Sequence, residues 1–308
     1  IETIRRFGKD SETVDVIYVI NEHGMLLDDL RIRDIILATP NKRIADLMDG
    51  RVITLQANDD QELASNAFKM NNRVALPVVS QSNKLLGIVT IDDILWVAQE
   101  EFSEDMQKMG GTEALDEPYL DTPVLKMFRK RVVWLVVLFL GEMITASVMH
   151  HFEGAIAQAA VLASFIPLII SSGGNSGSQA STLVIQALAT GDVVITDWWR
   201  VLKREILSGI LLGAVLGAIG YARIYFWHMF FPNVYGQHYH QVGLVVGITL
   251  LFIVLWGSLG GSMFPLLLKK LGADPAVSSA PFVATLVDVT GLIIYFSVAF
   301  FFLKGLLL

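Results

Sequence analysis

Two patterns of apolar and polar residues follow one another along the chain. Up to about residue 131, short apolar runs alternate with polar turns; beyond it the apolar runs lengthen until each can cross a bilayer. Five long runs can be counted, approximately Val132–Met149, Ala157–Ala189, Ile206–Phe231, Val242–Leu268 and Ala284–Leu307. A helix of about 20 apolar residues spans the hydrocarbon, so each run predicts one crossing. In the first part, V-D-V-I-Y-V-I (Val14 to Ile20) predicts a strand by its β-branched content, and N-E-H-G (Asn21 to Gly24) a turn. M-L-L-D-D-L then reads as a strand and R-I-R-D-I-I-L as a helix. The order returns at Ala75 to Ser80 (strand), Q-S-N-K (turn), Leu85 to Thr90 (strand) and I-D-D-I-L-W-V-A (helix). Such repetition indicates a tandem α/β module.

The last run holds a carboxylate. On a helix, Pro281, Ala284 or Thr285, Asp288, Gly291 and Tyr295 fall on one small or polar stripe, against Leu, Ile, Val and Phe elsewhere. A charge at that depth costs several kcal/mol unless it faces protein, water or a cation. Asp288 is either paired inside the bundle or faces a cation pathway, and the pathway is the reading we carry forward. Glu142 is a second intramembrane carboxylate, either on that path or a partner of the second run. That run is itself polar at S-S-G-G-N-S-G-S-Q-A-S-T (Ser171 to Thr182), with Ser171, Asn175, Ser178 and Thr182 at helical spacing. It predicts a broken or wide-turned helix lining a wet cavity, with a kink at Pro167. Gly209, Gly213 and Gly217, and Gly257 and Gly261, predict close helix contacts, within the chain or across a dimer.

Bulk properties sharpen this picture. With 53% apolar residues and a mean hydropathy of +0.55, the chain is too apolar for an ordinary soluble protein. Its net charge of −7 arises mostly in the first part, which argues against nucleic acid and for a cationic partner. The absence of cysteine removes disulfides and thiolate metal ligands. Lys126, Arg129, Lys130 and Arg131, then Arg200, Lys203 and Arg204, then Lys269 and Lys270 mark one side of the bilayer. The positive-inside rule places the N-terminus in the cytoplasm and the C-terminus outside an inner or plasma membrane. The opening I-E-T-I-R-R-F reads as part of a longer chain. Glu100, Glu101, Glu104 and Asp105, with a weaker patch at Asp59, Asp60 and Glu62, form either solvated faces or oxygen ligands for a hard divalent cation. H-x-H at His238 and His240 reads as a bland loop. No G-x-S-x-G, P-loop lysine or H-E-x-x-H is present, so no enzyme is indicated.

L-P-V-V-x(5)-L-L-G-I-V-T-I-D-D-I resembles the cystathionine-β-synthase-type (CBS) regulatory module, a clear match over Asp49 to Gln99 and a looser one before it, where the leading helix is missing. The resemblance implies that Thr90 and Asp93 hold the ribose of ATP or another adenine nucleotide. P-L-I-I-S-S-G-G-N-S-G-S-Q-A-S-T (Pro167 to Thr182), L-G-A-D-P-A (Leu271 to Ala276) and P-F-V-A-T-L-V-D-V-T-G-L (Pro281 to Leu292) are similar to MgtE-type magnesium channels. With the paired modules, this likeness covers nearly the whole chain. It implies a cytosolic tandem CBS domain over residues 1–103 with an incomplete first module, a connecting plug helix over 104–131, and an all-α pore domain of five helices over 132–308. It also implies a homodimer with its pore on the two-fold axis, Asp288 holding the permeating Mg²⁺. Ala284, Thr285, Asn175, Ser178 and Glu142 would line that path. Asp274 would stand near the cytoplasmic mouth, and Asp60, Glu62, Asp93, Glu101, Glu104 and Asp105 would sense intracellular Mg²⁺ and shut the pore. Three features depart from the family: its acidic N-terminal domain is absent, Trp96 stands where an acid is common, and Ser178 replaces an asparagine. An ion-coupled carrier of divalent cations using Glu142, and a nucleotide-sensing receptor anchored by its spans, are the alternatives.

Overall fold

The computed structural model describes residues 1–304. Two compact units result, Ile1–Ser103 and Glu104 onward. The first opens with a six-residue helix α1 (Glu2–Phe7) that buries no side chain. An antiparallel hairpin follows, β1 (Val16–Ile20) with β2 (Leu26–Arg31), then helix α2 (Ile32–Leu37). Its turn is made by Asn21, whose Oδ1 accepts from the backbone N–H groups of His23 and Met25 at 3.0 and 2.9 Å. The second sheet has the order β3 (Leu55–Gln56), β4 (Ala75–Val79), β5 (Leu85–Thr90), with helix α3 (Gln61–Asn71) between β3 and β4. β3 pairs with β4 in parallel, β4 with β5 antiparallel. The two hairpins meet at their turns: Asn83 donates from Nδ2 to the Leu26 carbonyl at 3.0 Å and accepts from the Leu26 N–H. Leu55, Phe68, Leu76 and Ile94 form the apolar centre of the second module.

Helix α4 (Ile91–Met109) begins in the first unit and ends in the second. The second unit then contains α5 (Val124–His151), the short α6 (Glu153–Gln158) and α7 (Ala160–Ala163), α8 (Ile166–Thr190), α9 (Trp198–Phe230), the single turn α10 (Pro232–Tyr235), α11 (Tyr239–Lys270) and α12 (Ala280–Leu303). Among the described residues, five of its helical stretches are long and apolar enough to cross a membrane, as a multi-pass membrane protein requires. The expected end of the last run, Leu307, lies outside the described residues. α11 is central, packing on α8, α9 and α12, and α5 lies against α12.

Small residues make these packings close. A Cβ at Gly213 of α9 would stand 2.8 Å from the Cα of Leu251 on α11, and one at Gly177 of α8 would stand 3.0 Å from the carbonyl oxygen of Gly257. The glycine rows therefore serve contacts within this chain, where backbone-to-backbone approach gains dispersion and excludes lipid.

Two expectations are corrected. Ser171 to Thr182 is not a broken helix: it lies inside the continuous α8, and the interruptions fall earlier, at Ala159 and at Ser164–Phe165. Pro167 does not kink the helix, because it sits in the first turn, where its missing N–H has no helical acceptor to lose. Nor is 104–131 one connecting helix. α4 stops at Met109, Gly111 turns the chain at φ +75°, and α5 starts only after Pro123. Between them Lys126 pairs with Asp116 and Glu117, each at 3.1 Å, and Lys130 with Asp116 at 2.9 Å, folding the connection back onto α5.

Candidate ion site in the membrane helices

The start of α12 is fixed by side chains of α8 and α5. Ser279 is its N-cap and accepts from the Phe282 N–H, while Pro281 occupies the first turn. Trp134 Nε1 donates to Ser279 Oγ at 3.2 Å. Ser181 Oγ donates to the Ser278 carbonyl at 2.7 Å, and Ser178 Oγ to the Ala280 carbonyl at 3.2 Å. Ser178, expected as a pore ligand, is thus bonded to the α12 entry.

Above this clamp two glycines admit α12 closely. Gly174 of α8 faces Ala284, and a Cβ at Gly141 of α5 would lie 2.6 Å from Thr285 Cγ2. One residue beyond Gly141, the Glu142 carboxyl comes within hydrogen-bonding reach of the half-buried Asp288 carboxyl. Among the described residues Asp288 has no lysine, arginine or histidine partner within ion-pair distance. The stripe predicted around Asp288 divides at this level. Gly291 and Tyr295 are buried, and the Tyr295 hydroxyl donates to the Leu162 carbonyl at 2.8 Å. That end of the stripe belongs to the core, because the break between α7 and α8 leaves a carbonyl there to be satisfied.

α8 has two unlike faces. Gly173, Gly177, Ala180, Val184 and Leu188 are buried against its neighbours. Ser171, Asn175, Gln179, Thr182 and Gln186 stand exposed, and among the described residues Asn175 Nδ2 reaches only Ser171 Oγ, at 3.4 Å. One chain therefore leaves a polar row uncovered at membrane depth.

The expected sensing acids are dispersed. Asp60 caps α3 by accepting from the Glu62 N–H at 2.9 Å, and Glu101 accepts from Gln61 Nε2 at 2.5 Å. Thr90 Oγ1 donates to Asp93 Oδ2 at 2.9 Å, so the two residues expected on a ribose are bonded to each other. Glu104 and Asp274 converge on a residue the sequence reading passed over: Lys108 Nζ lies 2.5 Å from Glu104 and 2.6 Å from Asp274. Partial burial works against the Lys108 ammonium, but the hydrogen bonds it donates to Asp274 and then Glu104 outweigh it and hold its pKa above the ordinary lysine value. Among the described residues no three His, Cys, Asp or Glu side chains gather as a metal site. His240 Nδ1 meets the Tyr221 hydroxyl at 2.8 Å, and His228 stacks on Tyr239. Two structural carboxylates were also missed. Asp28 is fully buried and accepts from three backbone N–H groups, of Asp29, Asp49 and Gly50, at 2.8–3.0 Å. Asp29 pairs with Arg73 at 2.6 Å. The alternating pattern of L-L-D-D-L-R, which turns Asp28 to the core side of β2, was the available signal.

Comparison with known proteins places this geometry. Residues 166–298 match the MgtE family, described as divalent cation transporters, and residues 44–100 match the CBS domain. The chain is 40% identical over 297 residues to the magnesium transporter MgtE of Thermus thermophilus, covering 96% of this chain and 64% of that protein. To the magnesium transporter MgtE of Enterococcus faecalis it is 34% identical over 294 residues, 96% of this chain and 62% of that one. The chain thus spans a little less than two thirds of these relatives. A solved cytosolic domain of the Mg²⁺ channel MgtE in complex with ATP is 38% identical, with a TM-score of 0.31 over 31% of this chain and 39% of that one, an overlap too small to carry a structural argument. The relatives are named as transporters, a non-enzymatic function. The carboxyl pair and polar helix thus lie in a stretch similar to the MgtE family of divalent cation transporters, preceded by a stretch similar to the CBS domain.

Proposed function

We propose that two copies of this chain form a Mg²⁺-conducting, Mg²⁺-gated channel in an inner or plasma membrane, with the N-terminus cytoplasmic and the C-terminus outside. The observation that carries the reading is the polar row of α8 beside the Glu142–Asp288 pair, left without protein cover or counter-charge at membrane depth. Lipid solvates neither, so a stable arrangement needs water, a cation and a second protein surface there. Mg²⁺ is a hard cation that keeps most of its octahedral water shell. Asp288 from each copy would supply the negative charge, while Asn175, the Ser178 hydroxyl and backbone carbonyls near Ala284 and Thr285 would accept hydrogen bonds from the ion's waters.

Gating follows from differential affinity. A cation held more tightly by the shut form shifts the population toward it. Asp60, Glu62, Asp93, Glu101, Glu104, Asp105 and Asp274 are the acids proposed to bind that ion, in sets completed by assembly of the dimer. Lys108 already pairs with both Glu104 and Asp274, so a sensing ion there must displace an ammonium. Thr90 and Asp93 are proposed to meet an adenine nucleotide such as ATP, at the cost of their mutual bond.

A second reading, an ion-coupled carrier, draws on one observation: two carboxyls within hydrogen-bonding reach can share a proton as readily as a cation. Mg²⁺ flux into proteoliposomes, compared for the native chain, Asp288→Asn and Glu142→Gln, decides. Loss of flux in Asp288→Asn with an intact dimer supports the channel. Flux that requires a proton gradient, lost in Glu142→Gln, supports the carrier. Full flux in both variants removes the site.

A further inference from the structure

A second feature of the membrane unit lies away from the carboxyl pair. Where α9 begins, the turn at Ile195–Asp197 and Trp198 lean over the last turns of α11, leaving a groove of about 700 Å³. That volume is within the usual range of ligand sites, about 300–1,000 Å³. Its floor is apolar, formed by Leu259, Met263, Phe264 and Leu267. Thr196, Trp198 and Lys270 also line it, at the end where α9 starts and α11 stops, here called its mouth.

The arrangement is graded along the membrane normal. The apolar floor lies within a helix that is long and apolar enough to span, and the mouth coincides with the end of that helix. Trp198 and Trp199 are each about half exposed there, as residues of the interfacial belt are. Arg200, Lys203, Arg204, Lys269 and Lys270 concentrate positive charge at the same end. Several of these are committed: Arg200 pairs with Asp197 at 3.1 Å, Lys203 sits over the Trp199 ring, and Lys269 donates to the Leu188 carbonyl. Among the described residues Lys270 is within ion-pair distance of no carboxylate.

We propose that this groove is a binding site for an anionic phospholipid, an acyl chain lying along Leu259, Met263 and Leu267 and the phosphate meeting Lys270 and Thr196. Basic pockets between membrane helices are where acidic headgroups are held. A second copy is the poorer occupant. Two copies related by an axis along the membrane normal run parallel, so an isologous groove-to-groove contact would set one basic mouth against another. The site is independent of which ion crosses the protein.

The test uses the full chain in nanodiscs containing phosphatidylglycerol and phosphatidylcholine in equal amounts, with co-purifying lipid counted by native mass spectrometry. The native chain is expected to retain phosphatidylglycerol preferentially. Lys270→Gln should lower that preference about five-fold, the factor expected for one lysine at an anionic surface. Met263→Trp, which fills the floor, should abolish retention of either lipid. Because the chain lacks cysteine, a Met263→Cys variant reports its neighbour cleanly. Equal retention of both lipids by the native chain and Lys270→Gln would overturn the proposal. So would efficient disulfide cross-linking of Met263→Cys between copies, which would assign the groove to a second subunit.

Discussion

Asp28 and Asp288 are the same side chain under opposite regimes. Asp28 is completely buried in the first unit, yet three backbone N–H groups face its oxygens. Both oxygens of the buried carboxyl are bonded to backbone, and the result is a staple between β2 and the turn at Asp49–Gly50. Asp288 stands half-buried in a membrane helix, and the group it meets is another acid, Glu142. A carboxylate that the fold satisfies does structural work. A carboxylate that the fold leaves wanting a cation keeps its binding energy for something that arrives from outside. Asp274 lies between these cases, because its cation is internal, on Lys108.

The largest effect is expected at Asp28. Replacing it by Ala strands buried backbone donors, and thermal unfolding of the full chain should show a loss of about 3 kcal/mol in the first unit, since each unmade buried bond costs about 1–3 kcal/mol. Asp288→Ala should do the reverse: unfolding is unchanged or slightly harder, while Mg²⁺ flux falls roughly ten-fold or more, the factor equal to ~1.4 kcal/mol of lost ion stabilisation. If the two substitutions gave the same signature, the distinction between structural and functional carboxylates would collapse.

Gly213→Ala comes next, a control placed in the membrane but away from any charge. Its new Cβ would press on the Leu251 backbone at 2.8 Å, and overpacking of this kind costs about 1–3 kcal/mol. Stability should fall while the ion preference of the remaining flux stays the same. Lys108→Met sharpens the intermediate case. Under the proposed gating, Glu104 and Asp274 freed of this tethered ammonium should respond to about two- to five-fold less Mg²⁺ in a flux assay, as expected for a partly exposed ion pair worth up to ~1 kcal/mol. The pH dependence has a definite sign. A lysine whose folded pKa is raised adds stability that is whole below its ordinary value of 10.5 and is lost only as pH rises through the folded value. Any change in gating between pH 6 and 9 that persists in Lys108→Met therefore arises elsewhere. The smallest effect is assigned to Trp256→Phe, which removes the 2.8 Å bond from Trp256 Nε1 to Thr290 Oγ1 and should cost about 1 kcal/mol without altering flux.

The residue order by itself determined the division into an α/β part and five apolar runs, the repeated hairpins, and the presence of one carboxylate, Asp288, within the last run. Those features depend on composition and periodicity, which act locally and survive any particular packing. The glycine rows were legible as close contacts, but only packing decided that α8, α9 and α11 of one chain satisfy them. The polar second run predicts a broken helix lining a wet cavity, because polar groups at membrane depth need water or protein to satisfy them. In the bundle the small volume of its glycines and serines lets backbones touch, and the helix continues. Glu142 beside Asp288, Lys108 between Glu104 and Asp274, and Tyr295 on the Leu162 carbonyl join residues far apart in sequence. Such pairings depend on the direction each helix face takes in three dimensions, which no spacing along a single chain encodes.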